Sequence, residues 1–468
     1  MHLKYPFYLL ILLFFSCGDN DSKTYLGGGI VHPKDDYIIL SRADNFIDSI
    51  KIDSKGHFHY RFDLKEEGLF TFRHADEFQM IYLKPKDSIR LRLNTSEFDE
   101  SLVFSGEGAA ENNFLIENFL LNQKNSDLIL SYYKISPKDF QFKTDSIKKS
   151  RESRLEHIQE KFDLSEDFIE IAQKSIDYEY FDMRERYAFL LNKYNQKKSN
   201  DIPEDFYDYR KKIDFGDTLA KNLIVYRRFL DDYIKNQSIK ICLDKNKNVN
   251  CYDVDSYTNL DDRIHLVDSL IVDNGLRKTY FERFIQEEII YAKDLKDLDH
   301  TKNLIEKFNF SEKEKNKLLS LVEFQSALIV DADLKDVLLK CKDLKKHKLK
   351  DVIKKKHAVI YSWSLHSPSH HKLRVNAVKQ LMEKYKDIQF IGVNIDYNFQ
   401  DKWLTAVNNQ DENIENEFTI VPGEHAEFYR NYLNKIFFID QDCRIQKSEI
   451  VLSNKDLDGH IKDYLALY

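Results

Sequence analysis

The 468-residue sequence is poor in the residues that break regular structure, with only 13 Gly and 7 Pro. Together with a 13% aromatic content, this excludes a disordered chain and allows a large buried core. Cysteine is also scarce, at five residues, and none stands in a Cys-x-x-Cys pair. Neither a zinc ribbon nor a redox dithiol is therefore indicated. Neither charge sign dominates: 71 basic and 79 acidic residues are interspersed for a net charge of -8, which gives no general footprint for nucleic acid. Long apolar runs are missing too. The longest, Pro6 to Phe15, is too short to span a bilayer as a stable helix. No Gly-rich phosphate loop, His-Glu-x-x-His or calcium loop occurs, so no motif calls for a cofactor or metal.

What the N-terminus does have is "MHLKYPFYLLILLFFSC" followed by the polar "GDNDS". One Lys, an apolar core and a small residue before Cys17 read as a secretory signal. The segment resembles a bacterial lipoprotein signal over residues 1–17, in which Cys17 is lipidated and begins the mature chain. Phe14 stands where Leu is usual, and an ordinary signal peptide with Cys17 incidental is the alternative. Asp19 and Asp21 resemble surface-export signals of Gram-negative lipoproteins. The expected location is the cell envelope, with the membrane as partner through Cys17 on the periplasmic or surface face of the outer membrane. Four cysteines follow: Cys242, Cys251, Cys341 and Cys443. In an exported chain Cys242 and Cys251 suit a disulfide closing a polar hairpin loop, "CLDKNKNVNC", though spacing alone leaves the pairing open. Pairing of Cys341 with Cys443 is open as well.

The mature chain divides into three parts. Residues 18–108 alternate with a period of two, as in "HFHYRF" and "SIRLRL", separated by turns such as "DSKG", which predicts a small antiparallel β domain. Residues 109–335 carry Leu, Ile, Phe and Tyr at three- and four-residue spacing with almost no Gly or Pro, which predicts a helical domain. "DFIEIAQKSIDYEYFDMRERYAFLLNKY" is its clearest run. Its aromatic stripes fit packing between helices better than a ligand groove. Residues 336–468 open with a Lys-rich passage, nine Lys between Lys340 and Lys356. These alternate with Asp and apolar residues and read as a solvated face rather than a site for an anionic partner.

Beyond them, "HAVIYSW" predicts a buried strand and Pro368 to Tyr385 a helix with Val378, Leu381, Met382 and Tyr385 on one face. "DIQFIGVNID" is a second strand, "FQDKWLTAVNN" a second helix, "KIFFIDQDCRI" and "SEIVL" a strand pair, and "NKDLDGHIKDYLAL" a closing helix. The order βαβ then ββα predicts a mixed sheet flanked by helices. These segments resemble the thioredoxin-like domain of the TlpA and ResA class. "IDSKGHFHYRF", "IYLKPKDSIRLRLN" and "FSGEGAAENNFL" are similar to the β domain that precedes such modules in Bacteroidetes lipoproteins. The expected fold class is α+β multidomain: antiparallel β, then helical, then thioredoxin-like α/β.

The resemblance implies Trp-Ala-x-Trp-Cys-x-Pro-Cys after the central strand. From Trp363 this places Ser367 at the nucleophilic Cys and His370 at the resolving one, and a Ser hydroxyl cannot form a mixed disulfide. His366 replaces the aromatic before the first Cys, and Tyr361 stands where the class often keeps a buried acid. The stretch before "FFID" offers Lys435 and no cis-Pro. "SPSHH" then has several readings. Ser367 and Pro368 suit an N-cap and first helical position. His366, His370 and His371 cluster like metal ligands, but no carboxylate or Cys in the segment completes a set. The helix start with His366, Ser367, His370, His371 and Lys435 also suits an anionic, small-molecule or polypeptide ligand. A Ser367–His370 catalytic pair is disfavoured, because side chains within one turn diverge. The leading expectation is a redox-inactive thioredoxin-like lipoprotein that binds or scaffolds. The rival is a thiol-disulfide oxidoreductase of periplasmic redox homeostasis acting through Cys341 and Cys443.

Overall fold

A computed structural model describes residues 23–42, 45–245, 251–252, 254, 256–353, 356–366, 377–408, 416–433, 435–451 and 457–467. The signal segment and Cys17 lie outside these residues. The chain forms two compact units, one ending at Tyr233 and one starting at Ile234. The boundary between the two units falls inside the helical stretch 109–335. Amphipathic periodicity announces that a face is buried, but not against which neighbour.

The first unit begins with eight strands: β1 (Thr24–Val31), β2 (Tyr37–Arg42), β3 (Asn45–Lys51), β4 (His57–Phe62), β5 (Gly68–His74), β6 (Glu77–Leu83), β7 (Ser88–Asn94) and β8 (Val103–Gly106). They form two four-stranded sheets, ordered β4-β1-β7-β8 and β3-β2-β5-β6. Pairing is antiparallel except between β1 and β7, which run parallel. The period-two residues Phe58, Ile89, Leu91 and Leu93 enter one core with Leu26, Leu40, Phe70 and Phe72.

Helix α1 (Ala109–Tyr132) docks beside these strands through two consecutive asparagines. Asn112 accepts from the Tyr82 N–H at 2.8 Å and donates to the Tyr82 carbonyl at 2.7 Å. Asn113 does the same to Phe104, at 2.9 and 3.0 Å. Each amide stands in for the backbone of a neighbouring strand and satisfies groups that burial would otherwise orphan. Helices α2 (Pro137–Lys161) and α3 (Glu166–Tyr194) follow, capped by Ser136 and Ser165. The aromatic stripes are packing: Tyr187 stacks on Phe140 at 3.8 Å, Phe181 on Tyr209 at 5.0 Å, and Tyr178 meets Tyr226 edge-on at 4.6 Å.

The unit boundary falls within α4 (Ile224–Lys245). The second unit adds α5 (Tyr257–Leu270), α6 (Asn274–Tyr291), α7 (Leu295–Lys307) and α8 (Glu312–Ser326). Cys242 is joined to Cys251 by a disulfide, with Cα atoms 5.6 Å apart. Cys242 lies on α4, which runs on through "IKICLDK" to Lys245; the rest of the expected loop, residues 246–250, lies outside the described residues.

A seven-stranded mixed sheet completes the unit: β9 (Leu338–Lys340), β10 (Lys346–Lys348), β11 (His357–Trp363), β12 (Ile388–Asn394), β13 (Glu417–Ile420), β14 (Lys435–Ile439) and β15 (Ile445–Val451), ordered β10-β9-β13-β12-β11-β14-β15. β11 is central, parallel to β12 and antiparallel to β14. Residues 377–384 are helical. Their apolar face, Val378 with Leu381 and Met382, packs into the core of Val359, Trp363, Phe390 and Phe438, together with α9 (Gln400–Asn408) and α10 (Leu457–Leu465). This is a thioredoxin-like α/β arrangement with three further strands, β9, β10 and β13. These are three or four residues long, too short to show a period in the sequence.

Candidate functional site

The geometry starts from β11. A central strand is buried on both faces and therefore reads as an unbroken apolar run. Val359, Tyr361 and Trp363 point into the core beneath the helices. Ile360 and Ser362 point the other way and line an apolar cavity of about 120 Å³ with Phe324, Val393, Tyr432 and Phe437. The Ser362 hydroxyl donates to the Tyr432 carbonyl, so the one serine on the wall is already engaged.

The turn that leaves β11 is fixed from the parallel neighbour. Buried Asp396, just past β12, accepts from Ser364 Oγ at 3.1 Å and from the Leu365 N–H at 2.5 Å. Asn394 Nδ2 donates to the Trp363 carbonyl at 3.3 Å, and the Asp396 N–H donates to Asn394 Oδ1 at 3.1 Å. The His366 N–H then donates to Ser364 Oγ at 3.2 Å. His366 is exposed, with its ring edge-on to Phe399 at 5.0 Å. The site so defined lies at the carboxyl ends of two parallel strands, where open α/β sheets place their ligands. Ser367, His370 and His371 lie outside the described residues.

Lys435 does not join His366. It is buried at the start of β14, and its ammonium donates to the Ile290 carbonyl of α6. The rings of Tyr432, Phe437 and Tyr291 surround it at 5.1, 5.8 and 5.9 Å. A charge held this way secures the packing of sheet on helix instead of facing a ligand beside the turn. Tyr432 extends that link, its hydroxyl donating to Gln325 Oε1 at 2.8 Å. No cis peptide occurs among the described residues.

The position of Tyr361 suggested that a buried acid had been lost. A buried acid is present, supplied by another strand. Glu417 of β13 accepts from Tyr361 Oη at 2.7 Å and from Trp363 Nε1 at 2.9 Å. Sequence reasoning passed over it because "ENEFTI" shows no strand period. The one trace was Gly392, a glycine inside an otherwise apolar strand, which marks a close approach.

Two cysteines in the described part of the second unit are free. Cys341 follows β9 and its thiol donates to Asp343 Oδ1 at 2.7 Å. Cys443 is buried in the β14–β15 turn at φ +64°. That left-handed conformation is the one Gly adopts most readily. Burial pushes both thiols up, helped by Asp343 at Cys341 and by Asp333 at Cys443. Both are therefore poorer sources of thiolate than an ordinary cysteine.

No protein-family model and no curated protein matches the chain. Solved structures similar to its thioredoxin-like part include a thiol-disulfide oxidoreductase from Bacteroides fragilis, at 16% identity and TM-score 0.23, covering 27% of this chain and 94% of that one. A thioredoxin-like protein from Porphyromonas gingivalis matches at 18% identity and TM-score 0.23, over 30% and 93%. The exposed lipoprotein thioredoxin of Streptococcus pneumoniae matches at 16% and 0.21, over 27% and 98%. No helix among the described residues is long and apolar enough to cross a membrane.

Proposed function

We propose that this is a cell-envelope lipoprotein, anchored through Cys17, whose thioredoxin-like domain binds or scaffolds a partner and performs no dithiol exchange. The observation that carries the reading is the placing of the thiols. Where the resemblance puts the reacting pair, the sequence has Ser367 and His370, and the free thiols of this domain, Cys341 and Cys443, sit in turns with their acidity suppressed. Disulfide exchange requires an accessible thiolate. The Asp396-clamped turn and exposed His366 leave the carboxyl ends of β11 and β12 to present a surface for a polypeptide or small ligand.

The test is insulin reduction by the purified chain with dithiothreitol as electron source. Turnover at the uncatalysed rate is expected. Robust turnover that Cys341→Ser or Cys443→Ser abolishes would establish the oxidoreductase instead. The anchor is tested separately, by incorporation of a fatty-acid probe in cells. Cys17→Ser is expected to abolish labelling and release the chain from the membrane fraction.

A further inference from the structure

Away from the thioredoxin-like site, three helices of the second unit bring together Asp261 on α5, Glu288 on α6 and His300 on α7. One ligand atom from each lies within 4.8 Å of the others. His300 Nε2 is 3.0 Å from Asp261 Oδ1, and His265, one turn along α5, is 3.7 Å from the same oxygen. Asp261 and His265 share a face by their i,i+4 spacing.

Glu288 makes this more than a surface ion pair. It is fully buried, at 0% exposure, and one carboxylate oxygen accepts from Thr301 Oγ1 at 2.8 Å. The other has no hydrogen-bond partner. An ionised carboxylate buried with one oxygen unsatisfied is costly unless a cation or donor meets it. The His300 and His265 rings are about half exposed, at 46% and 50%, so the cluster is open on one side and dry on the other.

We propose that Asp261, Glu288 and His300, with His265 as a further ligand, form a binding site for one divalent transition-metal ion. Two carboxylates with one or two imidazoles are a borderline donor set suited to Zn²⁺, Mn²⁺, Fe²⁺ or Co²⁺, and not to the all-oxygen preference of Ca²⁺ or Mg²⁺. Thr301 fills the supporting role, fixing the Glu288 carboxylate from behind. The ion would replace the Asp261–His300 hydrogen bond by two coordinate bonds and give the unsatisfied Glu288 oxygen its partner. The open side leaves room for water or an exogenous ligand on the metal.

The untagged full chain, stripped with chelator, is titrated with Zn²⁺ and with Co²⁺, and bound metal and the Co²⁺ visible spectrum are read. One equivalent is expected, held more than about 10-fold less tightly by His300→Ala, whose exposed ring leaves the fold intact, and by Glu288→Gln. Cys341→Ser and His370→Ala, which remove the other candidate ligands, are expected to bind as the parent does. Absence of stoichiometric binding at micromolar metal overturns the proposal. So does an equivalent retained in both His300→Ala and Glu288→Gln, or one lost in Cys341→Ser or His370→Ala.

Discussion

Gly392 and Glu417 face each other across the β12–β13 pair so closely that a Cβ on Gly392 would stand 2.3 Å from Glu417 Oε2. Gly392→Ala must displace the carboxylate that holds Tyr361 and Trp363. Crowding and the loss of two buried hydrogen bonds together predict destabilisation of about 2–4 kcal/mol in urea unfolding, followed by tryptophan fluorescence. In a Glu417→Ala background the glycine no longer guards a carboxylate. The cost of Gly392→Ala is then expected to fall by at least about 1 kcal/mol, and strict additivity of the two substitutions would refute the coupling.

This pair also marks the limit of what the sequence reveals. β11 and the helix after it were legible because their burial imposes contiguous or periodic apolar residues, and Val378, Leu381 and Met382 do enter the core. Glu417 was not, since its contacts join residues 54 and 56 apart in the chain through a four-residue strand. The same applies to Glu288, where the cluster forms only once three helices pack, and to Lys435, whose partner Ile290 lies 145 residues away. Local patterns encode which face is buried. Which polar groups meet inside is encoded by the packing.

The Cys242–Cys251 disulfide closes a short loop, with a sequence separation of 9. Chain-entropy reasoning gives such a crosslink about 2–3 kcal/mol. The double Cys→Ser variant is expected to lose that much, and dithiothreitol should lower the thermal midpoint of the parent while leaving the variant unmoved. Equal sensitivity of the two to reductant would argue against the crosslink.

Asp87 gives the β-rich region a pH dependence. It is buried, its Oδ2 accepts from the Lys84 N–H at 2.8 Å, and burial pushes its carboxyl up to about 6 from 3.8. With the folded value above the unfolded one, the folded state holds the proton more tightly. Stability from this group is full below about pH 4 and is lost as pH rises through 6, by up to about 3 kcal/mol. Asp87→Asn keeps the acceptor and removes the titration. Relative to the parent it should gain stability progressively from pH 4 to 6 and hold a constant advantage above. A difference flat across that range would dismiss Asp87 as the source.

Arg228 holds two buried acids of the first unit at once. Its Nε donates to Asp182 Oδ2 at 2.7 Å and its Nη2 pairs with Glu179. Both acids are buried, at 0% and 3% exposure. Burial pushes both carboxyls up, and Arg228 is the foremost influence holding them down. Removing the guanidinium leaves two buried carboxylates with Arg186, 3.7 Å from Asp182, and the more distant Arg151 to offset them in part. Such uncompensated burial costs about 3–5 kcal/mol, so Arg228→Met should be destabilised by that amount at pH 7. Its acids can escape the penalty by protonating, which moves their folded pKa values further above the unfolded ones. The loss relative to the parent should therefore shrink as pH falls from 8 to 5 and widen as it rises. Denaturant unfolding at those two pH values reads the sign directly. A penalty independent of pH would mean that Arg228 serves by packing alone, its charge contributing nothing to the fold.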